Sequence, residues 1–297
     1  MLRFRILKRR KKNLITFTNQ ASLSYNGTVT TSNVTTGQII TAITLTKTAL
    51  QDIYSAGQTL TYVISLVNSS DSPFENLTLI DDLGAYSVSG NTVYPLSYTE
   101  GSARIFVNGV PGGELTVSDG QPLTITGINL PAQGNALIIY TAEVTVFAPP
   151  AAGGVITNTA TVTGEGITTP ITASETVGAE AEPILTITKE LSPTVVQENG
   201  ELTYTFFIRN FGNLAADESA NAVITDTFDP ALSDIEVTFN GESWREGVDY
   251  TYDERTGQFT SVSGQITVPA ATISQNPMTG EWVITPGISI LTVRGTI

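Results

Sequence analysis

Two copies of one module occur in this sequence, and this internal repeat is the feature that most constrains its fold. Residues 43–49 (ITLTKTA) match residues 185–191 (LTITKEL) at an offset of 142 positions. After a three-residue insertion, residues 76–81 (NLTLID) match residues 221–226 (NAVITD). The repeat predicts two domains of similar construction, each with its own core.

Short segments of alternating apolar and polar residues recur throughout the chain between Gly, Pro, Asn and Asp residues. Residues 60–67 (LTYVISLV) and 137–146 (LIIYTAEVTV) are examples. This period of two is typical of half-buried antiparallel strands, and no segment has the pattern of a helix of three turns. The predicted fold class is all-β, with two tandem sandwiches of immunoglobulin-like (Ig-like) size.

The two copies differ at their ends. In the first copy, the strand at residues 137–146 is followed by a further strand at residues 156–163 (ITNTATVT). In the second copy, the corresponding strand at residues 288–297 is the last segment of the sequence. Residues 17–24 (FTNQASLS), near the other end of the chain, align with residues 156–163. We therefore expect the second sandwich to lack its last strand.

A sandwich without one strand leaves unpaired backbone groups and an uncovered strip of core. We expect residues 14–25 of one molecule to fill this gap in the second domain of another, as in donor-strand complementation. A head-to-tail contact of this kind propagates into a filament unless it closes a ring, so the expected partners are identical subunits. The donor-strand residues expected to face the groove are Phe17, Asn19, Ala21 and Leu23.

Two alternatives keep the N-terminal strand within its own chain. It could pair with the first domain, although residues 156–163 already supply that strand. It could instead fold back onto the second domain, which requires residues 26–42, about 55 Å when fully extended, to pass along a whole domain. The predicted organisation is a basic arm (1–13), donor strand (14–25), connector (26–42), first domain (43–164), connector (165–184) and second domain (185–297).

Lysine is rare after residue 12, and the two lysines that remain occupy the same position in the two modules. An Asp and an Asn also recur in the repeat. In an apolar core, burial favours the neutral forms of an amine and an acid, and the amine can then attack a carboxamide and release ammonia. The product is an isopeptide cross-link. The three repeated positions are Lys47 and Lys189, Asp81 and Asp226, and Asn158 and Asn19.

The pattern LTxTK, then TY, then Asp after a strand, then TNTATV resembles the conserved repeat domains of Gram-positive surface and spore-appendage proteins. The order Lys, Asp, Asn is similar to that of CnaA-like isopeptide domains. The resemblance implies a Lys47–Asn158 bond with Asp81 as catalyst. It also implies an intermolecular Lys189–Asn19 bond with Asp226 as catalyst. Two alternatives stay open: the neighbouring Asp82 is the acid, or each lysine forms only a salt bridge.

Composition excludes several classes of function. The sequence contains no Cys and no His, so disulfides, zinc fingers, thiol nucleophiles and Ser-His-Asp triads are excluded, and we expect neither an enzyme nor a bound metal or cofactor. After residue 12, seven basic residues face 28 acidic ones, which argues against nucleic-acid binding. The basic arm is expected to be disordered or to dock on an acidic neighbouring subunit.

The sequence predicts a structural subunit of an extracellular fibre or spore appendage, with tip or anchor proteins as further partners. No window approaches a membrane span, and neither a Sec signal peptide nor a sortase anchor is recognisable. The alternative is a cell-surface adhesin or carbohydrate-binding stalk. Trp244 and Trp282 would favour this alternative if they lined one face, whereas burial in the core would favour the structural role.

Overall fold

The computed structural model describes residues 15–39, 42–118 and 120–297. The basic arm at 1–13 and the first residue of the predicted donor strand, Leu14, lie outside the described residues. The described residues form an all-β structure whose only helical element is a single 3₁₀ turn, Glu218–Ala220. The predicted fold class is confirmed. In the described part of the chain, no helix has the length and apolar character that crossing a membrane requires.

The N-terminal residues 15–39 fold on themselves as a β-hairpin, here called the N-terminal hairpin. The outer strands pair with each other, as do the inner strands, both antiparallel. At its tip, Asn26 and Gly27 have φ angles of 46° and 78°, as the favoured two-residue hairpin turn requires. Residues 26–42, expected to be a connector, therefore contain two strands. The four strands are β1 (Ile15–Asn19), β2 (Ser22–Tyr25), β3 (Thr28–Thr31) and β4 (Thr35–Ile39).

The first sandwich comprises residues 43–179 and has two six-stranded sheets around one core. One sheet has the order β13-β12-β16-β7-β5, with β11 also on β16, and the other has the order β14-β15-β8-β17-β18-β6. The strands are β5 (Ile43–Ala49), β6 (Ile53–Tyr54), β7 (Thr59–Asn68), β8 (Phe74–Asp81), β9 (Tyr86–Val88), β10 (Asn91–Val93), β11 (Leu96–Tyr98), β12 (Arg104–Val107), β13 (Val110–Pro111), β14 (Thr116–Ser118), β15 (Leu123–Leu130), β16 (Asn135–Val144), β17 (Val155–Thr163) and β18 (Ile171–Ala179).

Strand β18 lies within residues 165–184, which the sequence predicted to be a connector. It pairs with β17 along eight residues and contacts β5 of the opposite sheet. Its last residues pair in parallel with β6. The inward positions of β18 include Ala173 and Glu175, so its apolar alternation is weaker than that of the other core strands. The hairpin formed by β17 and β18 closes the side of the first sandwich.

The second sandwich comprises residues 185–297 and has its own core. Its main sheet has the order β19-β20-β28-β22-β23, and it faces a three-stranded sheet, β21-β25-β24. Asn68 and Asn210 mark the same position in the two sandwiches, because each Nδ2 donates to a Pro carbonyl, at Pro131 and Pro269. The strands are β19 (Leu185–Ser192), β20 (Glu201–Asn210), β21 (Thr225–Thr227), β22 (Ser233–Phe239), β23 (Glu242–Ser243), β24 (Tyr250–Asp253), β25 (Gln258–Ser261), β26 (Thr272–Gln275), β27 (Trp282–Thr285) and β28 (Gly287–Thr296).

Candidate cross-link sites and acceptor groove

Three of the predicted site residues meet in the core of the first sandwich. Lys47 on β5, Asp81 at the end of β8 and Asn158 on β17 are all buried. The Lys47 Nζ lies 2.6 Å from Asp81 Oδ2, and neither side chain is exposed. The Tyr140 hydroxyl donates to the same Oδ2 at 2.6 Å and accepts from Asn158 Nδ2 at 3.1 Å. The amine, the acid and the carboxamide therefore form one continuous hydrogen-bonded group.

The two facing sheets bring these residues together, because one sheet contributes Lys47 and the other contributes Asp81 and Asn158. Lys47 continues the buried positions Ile43 and Leu45 of β5, on alternate residues of the strand. Asp81 pairs in register with Ala160 of β17, two residues from Asn158, so both face the same interior. In the first sandwich, the three repeated positions found in the sequence are therefore neighbours in space.

Burial controls the electrostatics of this site. It lowers the pKa of the Lys47 amine, and the attraction of Asp81 opposes this shift without reversing it. Burial also raises the pKa of the Tyr140 hydroxyl, so that this group stays protonated and can donate to Asp81. The Asn158 Oδ1 is buried and has no hydrogen-bond partner among the described residues. An unpaired buried carbonyl costs about 1–3 kcal/mol, which makes this oxygen a ready acceptor for a nearby proton.

The neighbouring carboxylate, Asp82, has a different role from Asp81. Its Oδ1 accepts from the backbone amides of Gly84 and Thr159, at 2.9 and 2.8 Å. These bonds hold the loop after β8 against β17. The lysine contact belongs to Asp81, so the geometry favours Asp81 over Asp82 as the acid.

The aromatic partner of the site, Tyr140, was not found by sequence reasoning. It lies on β16, stacks on Tyr62 of β7 with 5.5 Å between ring centroids, and completes the hydrogen-bond chain. The alignment of the two copies contains no signal for it, because Tyr62 recurs as Tyr204 whereas Tyr140 has no Tyr at the matching position. Register places Val293 opposite Tyr204, as Tyr140 lies opposite Tyr62.

The second site has the lysine and the acid but is open. Lys189 forms an ion pair with Asp226, and 36% and 21% of their side chains are exposed. The Lys189 Nζ lies 4.1 Å from the ring centroid of Tyr204 and 5.1 Å from that of Phe228. Phe228 stacks on Tyr204 where Tyr140 stacks on Tyr62 in the first sandwich. The stacked pair of rings is therefore present in both sandwiches, but no described residue of the second site supplies a counterpart of the Tyr140 hydroxyl that contacts Asn158.

An uncovered groove borders this second site between strands β19 and β21, and we call it the acceptor groove because it is the candidate site for the predicted donor strand. One edge of β21 pairs with β25, and the opposite edge has no strand partner among the described residues. In the first sandwich, the corresponding edge of β8 is paired with β17. The inward residues of β19 are uncovered, with Leu185 and Ile187 at 37% and 52% exposure.

The predicted donor residues are not near this groove within the chain. Phe17, Asn19, Ala21 and Leu23 are all exposed, and the N-terminal hairpin has no strand partner outside itself in the described residues. Their counterparts on β17 are fully buried. The structure therefore brings together Lys47, Asp81 and Asn158, and separately Lys189 and Asp226, but leaves Asn19 apart.

The two tryptophans do not form a shared binding face. Trp244 is half-buried and packs against Phe239, with 5.1 Å between ring centroids. Trp282 is half-buried at the junction of the two sandwiches, where its Nε1 donates to Tyr86 Oη and to the Phe147 carbonyl, each at 3.2 Å. Both side chains have packing roles, so the pattern named above for an adhesin is not observed.

Comparisons with known proteins return structural likenesses only. No protein-family model matches the chain, and no curated protein matches it. The pilus backbone RrgB of Streptococcus pneumoniae matches 82% of this chain at 12% identity and a TM-score of 0.34, and this chain spans 55% of that chain's length. The major pilin BcpA of Bacillus cereus matches at 11% identity and a TM-score of 0.37, and the match covers 91% of this chain and 73% of the BcpA chain.

Other matches include the collagen-binding subdomain of the Enterococcus faecalis surface protein ACE. A family 123 glycoside hydrolase from Clostridium perfringens also matches at 13% identity and a TM-score of 0.30, and the match covers 47% of this chain and 27% of the hydrolase chain. The structural neighbours are thus mainly Gram-positive pilin and surface domains. All of these TM-scores are below 0.5, so the function of this chain is inferred from its own residues.

Proposed function

We propose that this protein is a structural subunit that assembles head-to-tail into an extracellular fibre by donating its N-terminal strand to a neighbour. The observation that carries this proposal is the exposure of the inward side of β19. In the first sandwich, Ile43 and Leu45 are 2% and 8% exposed, whereas their counterparts Leu185 and Ile187 are 37% and 52% exposed. Apolar side chains at core positions are expected to be covered in the working state of the protein.

The occupant that fits this groove is the N-terminal hairpin of another molecule of the same protein. The N-terminal hairpin carries the sequence features of β17 and pairs with no other strand in the described part of the chain, so the groove and the hairpin complement each other. Each has unpaired backbone groups that the other can satisfy. Because the donor and the groove lie at different places on the subunit, the contact is heterologous and repeats along a fibre. A spore or cell surface is the proposed location.

Within each subunit, the proposal includes an isopeptide bond between Lys47 and Asn158. The Lys47 ammonium gives one proton to the Asp81 carboxylate, and the neutral amine attacks Cγ of Asn158. A new N–C bond forms and the original C–N bond of the carboxamide breaks. One proton passes from the attacking nitrogen to the leaving nitrogen, ammonia departs, and Asp81 keeps the proton that it received.

Between subunits, the proposed bond joins Lys189 to Asn19 of the neighbour, with Asp226 in the role of Asp81. Docking the donor would bury Lys189 and Asp226, as Lys47 and Asp81 are buried in the first sandwich. Because the described residues of the second site include no hydroxyl equivalent to that of Tyr140, the incoming carboxamide of Asn19 is held in a less fixed orientation. We therefore expect the bond between subunits to form more slowly than the bond within each subunit.

The first test changes the groove without changing the donor. Ile187→Asp places a carboxylate where the neighbour's strand must pack. Because Ile187 is half-exposed in the free subunit, the subunit should fold normally, whereas docking would bury an unpaired charge at a cost of several kcal/mol. We expect assembly to weaken at least about a hundredfold, measured by sedimentation and negative-stain electron microscopy.

The matched control is Thr186→Asp, on the outward side of the same strand, which should assemble like the unmodified protein. Fibres of normal length from Ile187→Asp would contradict the proposal.

A second test addresses the covalent bond between subunits. Asn19→Ala removes the carboxamide but keeps the donor strand, so fibres should still form. When assembled protein is heated in detergent, the unmodified chain should give a ladder of oligomers, and Asn19→Ala should give single chains only. Complete dissociation of the unmodified protein would exclude the intermolecular bond, and a persisting ladder in Asn19→Ala would assign it to another residue.

A further inference from the structure

The first sandwich shows which strands would be needed to fill the acceptor groove of the second sandwich. There, β17 pairs with the edge of β8, β18 lies beside the inward side of β5, and the end of β18 pairs in parallel with β6. The first of these contacts needs one strand, and the other two need a second strand.

In the second sandwich, the described residues leave all three contacts unfilled. The free edge of β21 corresponds to β8, and the exposed inward side of β19 corresponds to β5. Residues 195–196 correspond to β6, yet they form no strand, and Val195 is 86% exposed. A single inserted strand would fill only the first of these positions. The groove is therefore shaped for a two-stranded element.

The N-terminal hairpin fits this description, because the register of its outer strands, β1 and β4, repeats that of β17 and β18. Asn158 lies opposite Glu175 and Val155 opposite Gly178. In the hairpin, Asn19 lies opposite Thr35 and Thr16 opposite Gln38. Residues 35–39 thus correspond to residues 175–179 of β18, and the inner strands β2 and β3 continue the hairpin in a register shifted by one residue.

The side-chain sizes at one cross-strand pair support this correspondence. In the first sandwich, Ile156 faces Val177, and both are buried in the core. At the same pair in the hairpin, Phe17 faces Gly37. A Cβ at Gly37 would collide with the Phe17 ring, so the glycine makes room for the larger side chain. One large and one small residue replace two of medium size, as expected if this face fills a core of similar depth.

We propose that the donated element is the whole N-terminal hairpin, inserted in one defined register, an inference that rests on the strand exchange proposed above. Transferring the pairs of the first sandwich places Ala21 opposite Asp226 and Ser22 opposite Thr225. It also places Gln38 of β4 beside Val195 in a parallel pair. The partner surface is thus the β21 edge together with residues 195–196 of a second copy of the chain.

The absence of Cys from the sequence makes disulfide trapping a direct test. Subunits carrying only Ser22→Cys are mixed before assembly with subunits carrying only Thr225→Cys, and a second mixture combines Gln38→Cys with Val195→Cys. Each single variant oxidised alone gives the background, and a mixture of Gln38→Cys with Thr225→Cys is the out-of-register control. Disulfide-linked dimers are measured on non-reducing gels, and the linked peptides are identified by mass spectrometry.

The inference expects mixed dimers in both of the first two mixtures, well above background, and none in the control. Dimers in the first mixture but not the second would overturn the hairpin inference and leave single-strand exchange standing. If fibres form but the first mixture gives no dimers, the proposed strand exchange itself is overturned. Dimers in the out-of-register control would overturn the defined register.

Discussion

A chain lacking residues 1–39 is expected to stay monomeric under conditions in which the full chain forms fibres. The deletion removes the whole N-terminal hairpin but none of the buried core residues of either sandwich. Covering Leu185, Ile187 and Leu191 on docking would contribute roughly 1 kcal/mol each, in addition to the backbone hydrogen bonds along β21. Without the hairpin these contributions are lost together. Light scattering and negative-stain electron microscopy measure the result.

The matched control for this deletion removes only residues 1–13, the basic arm. We expect that shorter deletion to leave fibre formation intact, because it spares every strand of the hairpin. Fibres from the chain lacking residues 1–39 would show that assembly uses another surface. Loss of fibres in both truncated chains would assign assembly to the arm and not to the hairpin.

Asn158→Ala is expected to abolish the cross-link in the first sandwich. The unmodified protein should be lighter than its sequence mass by one ammonia for this bond, and the variant should have its full sequence mass. The bond closes a loop of about 110 residues, so its loss should lower the free energy of unfolding by about 4–5 kcal/mol. Intact-mass spectrometry and denaturant unfolding measure the two effects.

Tyr140→Phe is the informative companion variant, because it keeps Lys47, Asp81 and Asn158 and removes only the hydroxyl between them. Cross-linking should still occur but about tenfold more slowly, since the hydrogen bond that orients Asn158 is lost together with the one to Asp81. Tyr98→Phe, which changes the neighbouring ring, should cross-link at the normal rate. An unmodified protein with its full sequence mass would contradict the cross-link and leave a buried Lys47–Asp81 ion pair.

Much of the candidate site could be predicted from the sequence because the repeat acts as an internal alignment. Positions that recur in two modules with period-two spacing face the same interior, so Lys47, Asp81 and Asn158 could be grouped before any coordinates were known. The choice between Asp81 and Asp82 could not be made in this way. Adjacent residues on a strand face opposite sides, and only the register of β8 against β17 decides which carboxylate enters the core.

Two features depended on the tertiary structure. Tyr140 was missed because it has no Tyr counterpart in the second copy, and its role arises from β16 and β17 approaching the same buried carboxylate. Strand β18 and its counterpart in residues 28–39 were both predicted to be connectors. Several of their inward positions, such as Ala173, Glu175 and Gly37, are small or polar, so their apolar alternation is weaker than that by which strands are recognised.

The sequence by itself determined the β class, the two modules and the displaced copy of the last strand near the N-terminus, because these follow from periodicity and repetition along the chain. The tertiary structure decided that Asp81 meets Lys47 and that the second site is open. It also decided that, among the described residues, one edge of β21 is unpaired and the inward side of β19 is uncovered. The physical reason is that burial and edge pairing are properties of neighbouring strands, and strand neighbours such as β5 and β18 are far apart in sequence.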